Sequence, residues 1–294
     1  MVKEEKRQQT VFCEAKKHVE EILPEEIRKK YGIVLPRDYQ EGSGMAKLSA
    51  AKKMAQESKF CRLPFDHTVE AEAFGGQIKY NGKMPPYISA YHCHSLNEIL
   101  ALAEVDFTKG RIKEVLNACR QLKADDFSVL LEVSGPFTIL NGLLPTEILL
   151  RAIRKEPEQF AQAWGKMTTF LLKYLEEITE CQVDVISYAD PLIGADILGP
   201  KRALDFAETF VYPFLKQAEA QLKKQVLILL CPKISFSLIE AGVAIFQERN
   251  FEHAISYGDA YLQSIGKIQF AGEICSKKEN RLLGNGKMKE LKLL

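Results

Sequence analysis

Residues 61–76 read Cys-Arg-Leu-Pro-Phe-Asp-His-Thr-Val-Glu-Ala-Glu-Ala-Phe-Gly-Gly. The apolar start of this stretch predicts a short buried strand, and the Val-Glu-Ala-Glu-Ala segment predicts a helix that stops at Gly75 and Gly76. The polar residues Asp66, His67 and Thr68 lie between the two elements. Because strand ends of this kind carry the functional groups in parallel α/β proteins, we expect the functional site here.

Composition narrows the class of protein. The chain has 294 residues with 40 basic and 39 acidic side chains, and this balance argues against a nucleic-acid interface. Its seven cysteines are scattered through apolar stretches, which favours a reducing compartment over a disulfide framework. The N-terminus is charged, and no apolar run reaches the roughly 18 residues of a membrane helix. We therefore expect a cytoplasmic protein without membrane contact.

Apolar runs separated by helical patterns recur along the chain. Together with the stretch at residue 61 they predict six strands, the other five at residues 127–133, 183–188, 226–231, 243–247 and 267–271. This alternation predicts an α/β protein, either a (β/α)8 barrel or an open doubly wound sheet. No Gly-x-Gly-x-x-Gly motif follows a strand, which weakens the dinucleotide-binding version of the open sheet.

Two segments are expected to stand apart from the alternation. Residues 77–91 contain the hairpin signal Asn81-Gly82, and Pro85-Pro86 excludes a central strand, so we predict a two-stranded excursion or a loop. The residues after 271 predict a basic helical tail. A closed barrel needs two more strands than the six predicted. Unless residues 8–40 and 77–91 supply them, we expect an open edge, covered by a homodimer partner or by N-terminal helices.

Five motifs at the predicted strand ends follow one another in the order found in the uroporphyrinogen decarboxylase superfamily. The chain resembles most closely the corrinoid branch of that superfamily, the methylcobamide:thiol methyltransferases, over residues 45–290. The resemblance implies a TIM-barrel-like (β/α)8 domain over residues 45–294, incomplete at its C-terminal end, after a helical region and loop at residues 1–44. The motifs are Leu63-Pro64-Phe65 with Thr68 to Gly75, Val133 to Thr138, Ile186-Ser187-x-Ala189-Asp190-Pro191, Ile197 to Lys201, and Gly272 to Cys275 with Leu283 to Gly286.

The resemblance implies transfer of a methyl group between a corrinoid cobalt and a thiol or similar acceptor. The corrinoid would be a substrate or would be carried by a partner corrinoid protein. Asp66 and Asp190 are the catalytic candidates on this interpretation. The residues expected to bind the substrate or corrinoid are His67, Thr68, Ser134, Gly135, Pro136, Phe137 and Ser187.

The same resemblance implies a zinc ion that holds the thiol as a thiolate, since a thiol is mostly protonated at neutral pH. The zinc motif of the family is His-x-Cys at the end of the strand at 226–231. Cys231 matches its cysteine, but Leu229 stands at the position of the histidine. The motif is therefore incomplete, with Cys231 and Glu248 as candidate ligands, and Cys275 lies outside the aligned positions.

Two other functions stay open from the sequence. A decarboxylase acting on a tetrapyrrole would use Asp66, which stands seven residues before Ala73 as the essential acid of that branch does. A non-catalytic corrinoid or tetrapyrrole binder would need no metal. Structural roles are open as well: Asp66 as a helix cap, Asp190 as a support of its own loop, and Cys231 as a buried apolar thiol.

Overall fold

A computed structural model of the chain describes residues 23–294. The predicted N-terminal helical region begins before this range, so that part of the prediction lies outside the described residues. None of the described helices combines the length and the apolar character that crossing a membrane requires. The strands are β1 Cys61–Leu63, β2 Gln77–Lys79, β3 Tyr87–Ala90, β4 Val129–Ser134, β5 Val185–Ala189, β6 Leu227–Leu230, β7 Ala244–Asn250, β8 Ile255–Ser256, β9 Phe270–Ala271, β10 Leu282–Leu283 and β11 Lys287–Leu293.

Helices fill most of the connections between the strands. Three short 3₁₀ turns lie at Arg37–Tyr39, Pro191–Ile193 and Ser276–Lys278, and a π-helical turn at Ala207–Val211 joins two of the α-helices. The α-helices are α1 Glu25–Lys30, α2 Gly42–Ala55, α3 Val69–Ala73, α4 Leu96–Ala101, α5 Gly110–Ala124, α6 Pro136–Leu143, α7 Thr146–Lys155, α8 Pro157–Glu180, α9 Ala195–Leu198, α10 Pro200–Phe206, α11 Tyr212–Leu222, α12 Pro232–Glu240 and α13 Tyr257–Leu262.

The main sheet has seven strands in the order β1-β4-β5-β6-β9-β11-β7. The first five run parallel, as in a TIM-barrel-like fold, and β11 is antiparallel to both β9 and β7. Over the described part of the chain, β1 and β7 are the two edges of this sheet. The sheet is therefore built from a parallel core, which the antiparallel pairs of β11 with β9 and β7 extend on one side.

Both faces of the parallel core are covered. Every residue of β4 and β6 is buried, as expected of strands packed between two layers. The helices cover one face, and α8 contributes a stripe of aromatic and methionine side chains that includes Trp164 and Met167. The other face packs against α13, whose Tyr257 and Tyr261 join Leu130, Val185, Leu227 and Leu229 in a second cluster.

All six strand predictions are confirmed: those at residues 61, 127–133, 183–188, 226–231 and 267–271 as β1, β4, β5, β6 and β9, and that at 243–247 as β7. The predicted excursion at 77–91 is confirmed as the hairpin β2–β3, which pairs apart from the main sheet. The prediction of a helical tail after residue 271 is wrong, because β11 is a strand that pairs with β7 along all seven of its residues. Its Lys, Glu, Leu and Met residues favour a helix locally, but pairing and burial of Met288 and Leu291 override that preference.

Candidate functional site

A pocket of about 320 Å³ lies where the parallel strands of the main sheet reach their C-terminal ends. This end of a parallel barrel is where active sites are built. The β2–β3 hairpin contributes Pro85, and every other lining residue comes from a core strand or from the segment that follows one. The lining residues are Phe65, Asp66, His67, Pro85, Glu132, Ser187, Tyr188, Ala189, Pro191, Leu229, Leu230, Cys231, Cys275, Ser276 and Lys277.

Strand register places three of these side chains in one row on the inner face of the sheet. Glu132 of β4 is the partner of Ser187 of β5, and Ser187 is the partner of Leu229 of β6. Glu132 and Ser187 are buried, and the Ser187 hydroxyl lies 3.0 Å from the hydroxyl of Ser276. The row therefore presents a carboxylate and a hydroxyl at β4 and β5, and an apolar side chain at β6.

Glu132 lies between two basic side chains. Its Oε2 is 3.7 Å from Nε2 of His67, and its Oε1 is 3.5 Å from Nη1 of Arg62. Arg62 also donates to the Glu279 carboxylate at 2.9 Å and to the carbonyl oxygen of Ser276. The Glu132 side chain is 7% exposed and that of His67 is 43% exposed. The imidazole thus faces the pocket with a buried carboxylate behind it.

Asp66 lines the pocket, but its carboxylate is held from within the protein. Arg111 of α5 donates to both oxygens, at 2.9 Å and 2.8 Å, and Thr68 donates its amide and its hydroxyl to Oδ1. Arg111 also pairs with Glu72 at 2.7 Å, and Tyr80 of the hairpin donates to the same Glu72 carboxylate. Asp66 therefore anchors the turn between β1 and α3, and Thr68 is part of that anchor.

Asp190 lies beneath the mouth and is fully buried. Its carboxylate accepts from the amides of Phe137 and Thr138, each at 2.9 Å, and from the Thr138 hydroxyl at 2.7 Å. Burial raises the pKa of Asp190 to about 6, although these hydrogen bonds act in the opposite direction. A Cβ at Gly135 would come within 2.5 Å of the Asp190 side chain. The absence of a side chain at Gly135 therefore lets Asp190 reach the start of α6.

The remaining predicted binding residues support the same junction. Ser134 donates its amide to Glu70 at 3.0 Å, and both side chains are buried; desolvation raises the pKa of Glu70. Pro136 begins α6, and Phe137 is fully buried against Phe160 and Phe206. Of the nine residues predicted to act on or bind a substrate, Asp66, His67 and Ser187 are among those that line the pocket.

The donor atoms needed for the expected zinc ion are not assembled. Cys231 and Cys275 both line the pocket, but Leu229 occupies the inner row at β6. Glu248 lies elsewhere, on β7, where it pairs with Lys287 at 2.8 Å. Across residues 23–294, no three Cys, His, Asp or Glu side chains are placed so that they could hold a metal ion together. Since even a catalytic zinc site uses about three protein ligands, these residues do not fit zinc.

Glu132 and Arg111 are among the residues of the site that the sequence-based prediction missed. Glu132 had a visible signal, because a charged residue inside the apolar run Leu130-Leu131-Glu132-Val133 is rarely buried without a partner. Arg111 had no such signal in the sequence. It lies at the start of a predicted surface helix and reaches Asp66 across 45 residues of sequence.

Three kinds of similarity bear on this site. The model of the uroporphyrinogen decarboxylase family matches residues 8–247. A methylcobamide:CoM methyltransferase, MtaA, from Methanosarcina barkeri is 25% identical over 240 residues, which are 80% of this chain and 69% of that protein. A methylcobamide:CoM methyltransferase, MtbA, from Methanosarcina mazei is 25% identical over 206 residues, 66% of this chain and 57% of that protein.

The fold is also similar to a solved structure, described as a methyltransferase from Methanosarcina mazei. That comparison has a TM-score of 0.63 at 23% identity, and it covers 74% of this chain and 65% of the other. The chain thus spans slightly less than two thirds of the length of that structure. At this identity the similarity concerns the fold.

Proposed function

The chain belongs to the uroporphyrinogen decarboxylase family, and on that premise we propose that it moves a methyl group between a corrinoid cobalt and a thiol. The curated relatives named above are methylcobamide:CoM methyltransferases, which is the reaction class proposed. We propose further that the corrinoid is presented by a partner corrinoid protein. Cytoplasmic location and a homodimer that covers a sheet edge remain predictions.

The observation that carries this proposal is the small pocket at the C-terminal ends of the parallel strands. A volume of about 320 Å³ lies at the low end for ligand sites and suits a small thiol better than a whole corrinoid. The corrinoid would lie over the mouth, with its methyl group directed inward. Ser187, His67 and Glu132 supply the polar groups inside, while Leu229 and Leu230 supply an apolar wall that limits water.

Decarboxylation of a tetrapyrrole is less well supported. That reaction would need the Asp66 oxygens to accept hydrogen bonds from the pyrrole N–H groups. Both oxygens already accept from Arg111, and Oδ1 accepts from Thr68 as well. A tetrapyrrole would have to compete with a buried bidentate pair, which is among the strongest hydrogen-bonded arrangements in proteins.

A second candidate function is corrinoid binding without turnover, and Leu229 is the observation that favours it. A protein that keeps the pocket and replaces a metal-binding histidine with leucine has lost one route to an activated thiol. Binding alone requires no such activation.

The experiment that separates these functions uses purified full-length chain, methylcobalamin and 2-mercaptoethanol under anaerobic conditions. Loss of the methylcobalamin absorbance, with formation of the methyl thioether measured by mass spectrometry, is expected above the enzyme-free rate. A spectral shift on binding without thioether would support the binder instead. Elemental analysis of wild type and Cys231→Ser is the companion measurement. About one zinc per chain in wild type, absent from the variant, would contradict the conclusion that these residues do not fit zinc.

A further inference from the structure

The proposed reaction requires a thiolate, and the pocket holds one side-chain pair suited to making it. A thiol of ordinary pKa is mostly protonated at neutral pH, and the thiolate is the nucleophile. His67 lies in the pocket wall, 43% exposed, with Nε2 3.7 Å from the Glu132 carboxylate, which is 7% exposed. A carboxylate beside an imidazole orients the ring, as in other histidine bases.

We propose that His67, oriented by Glu132, is the general base that deprotonates the acceptor thiol in this pocket, in place of a zinc ion. This inference rests on the proposed function. Nε2 lies 3.7 Å from the Glu132 carboxylate, and we assign Nδ1 as the acceptor of the thiol proton. Histidine is the most frequent general base in enzymes, and its geometry with a carboxylate commonly tightens when substrate is bound.

The step balances without a further reactant. The S–H bond breaks and its proton moves to His67. A sulfur lone pair then forms the S–C bond to the methyl carbon, while the C–Co bond breaks and its electron pair stays on the cobalt of the corrinoid substrate. Cobalt is thereby reduced from Co(III) to Co(I) as the thiol becomes a methyl thioether, and no external oxidant or reductant takes part.

The charges around His67 are consistent with this assignment. Glu132 faces the ring from β4, and Glu70 of α3 lies near enough for the His67 charge to affect its ionisation. Lys277 lines the same pocket from the turn after β9. Arg62 holds the far oxygen of Glu132, at 3.5 Å, and is itself paired with Glu279. The carboxylate is thereby anchored on one side and exposed to the imidazole on the other.

The test compares two thiols that differ in whether they need a base. 2-Mercaptoethanol is protonated at neutral pH, whereas 4-nitrothiophenol is already a thiolate because its nitro group stabilises the anion. Removing a general base typically costs about 10²-fold or more in rate. We expect His67→Gln to lose at least about 10²-fold with 2-mercaptoethanol and little with 4-nitrothiophenol, and we expect added imidazole to restore part of the first rate.

Glu132→Gln keeps the shape of the side chain and removes its charge, so we expect a smaller loss with the same dependence on the thiol. His94→Gln is the matched control, because His94 is exposed and is not among the pocket residues; it should react like wild type. Circular dichroism establishes that each variant is folded. Wild-type turnover should also survive treatment with 1,10-phenanthroline.

The outcomes separate the two proposals. If wild type turns over neither thiol above the enzyme-free rate, the proposed function fails. If wild type is active but His67→Gln loses the same factor with both thiols, or loses nothing, His67 is not the base and the inference is overturned. Abolition of wild-type turnover by 1,10-phenanthroline would also overturn it, because a metal would then be activating the thiol.

Discussion

Replacing Arg111 with methionine should destabilise the protein strongly, because it would leave two carboxylates without their cation. The Arg111 side chain is 3% exposed, and its partners Asp66 and Glu72 are 5% and 27% exposed. Breaking a buried ion pair by removing one partner costs about 3–5 kcal/mol, since the remaining charge stays desolvated. We expect a loss in that range, carried by Asp66 more than by Glu72. Burial raises the pKa of Glu72, so Glu72 takes up a proton more readily.

Urea unfolding followed by far-ultraviolet circular dichroism measures this change at neutral pH. Lys173→Met is the matched control, because the Lys173–Glu104 pair has the same 2.7 Å length as the Arg111–Glu72 pair but is 48% and 84% exposed. It should leave the urea midpoint nearly unchanged, because solvent screens an exposed pair. Adding Asp66→Asn to Arg111→Met should recover at least about 1 kcal/mol, because the uncompensated charge is then absent. A loss below about 1 kcal/mol for Arg111→Met would refute the reasoning.

Two further predictions concern the contact between Asp190, which follows β5, and the start of α6. Gly135→Ala should lower the free energy of unfolding by about 1–3 kcal/mol or more, because its Cβ would lie 2.5 Å from the Asp190 side chain. Gly165→Ala is the control, since no atom lies within 4 Å of the added Cβ. In thermal melts this control should be neutral or stabilising. Burial raises the pKa of Asp190 from 3.8 to about 6. Between pH 3.8 and about 6, the Asp190 carboxyl is therefore protonated in the folded protein and ionised in the unfolded chain. Its contribution to the free energy of unfolding should therefore fall by about 3 kcal/mol as pH rises through that window; urea titrations from pH 4 to 7 should show this fall in wild type relative to Asp190→Asn, and parallel curves would contradict it.

Much of the site could be located from the sequence because strand ends are local features. The polar cluster after β1 follows a buried run, and Asp66, His67 and Ser187 do line the pocket. What each does could not be read from its position. Asp66 stands where the decarboxylase branch has its essential acid, yet a guanidinium from a helix 45 residues away occupies its oxygens. Whether these residues act in catalysis stays a prediction, and the thiol series above tests His67.

The sequence alone determined the family, the alternation of strands and helices, and the five parallel strands, because buried apolar runs and strand-end motifs are encoded residue by residue. Tertiary structure alone decided that residues 287–293 form a strand, since their pairing with β7 outweighs a local preference for helix. The tertiary structure also decided that Glu132 faces His67 and that Leu229 lies in the same cross-strand row as Glu132. These relations join residues distant in the chain, and only strand register and burial bring them together.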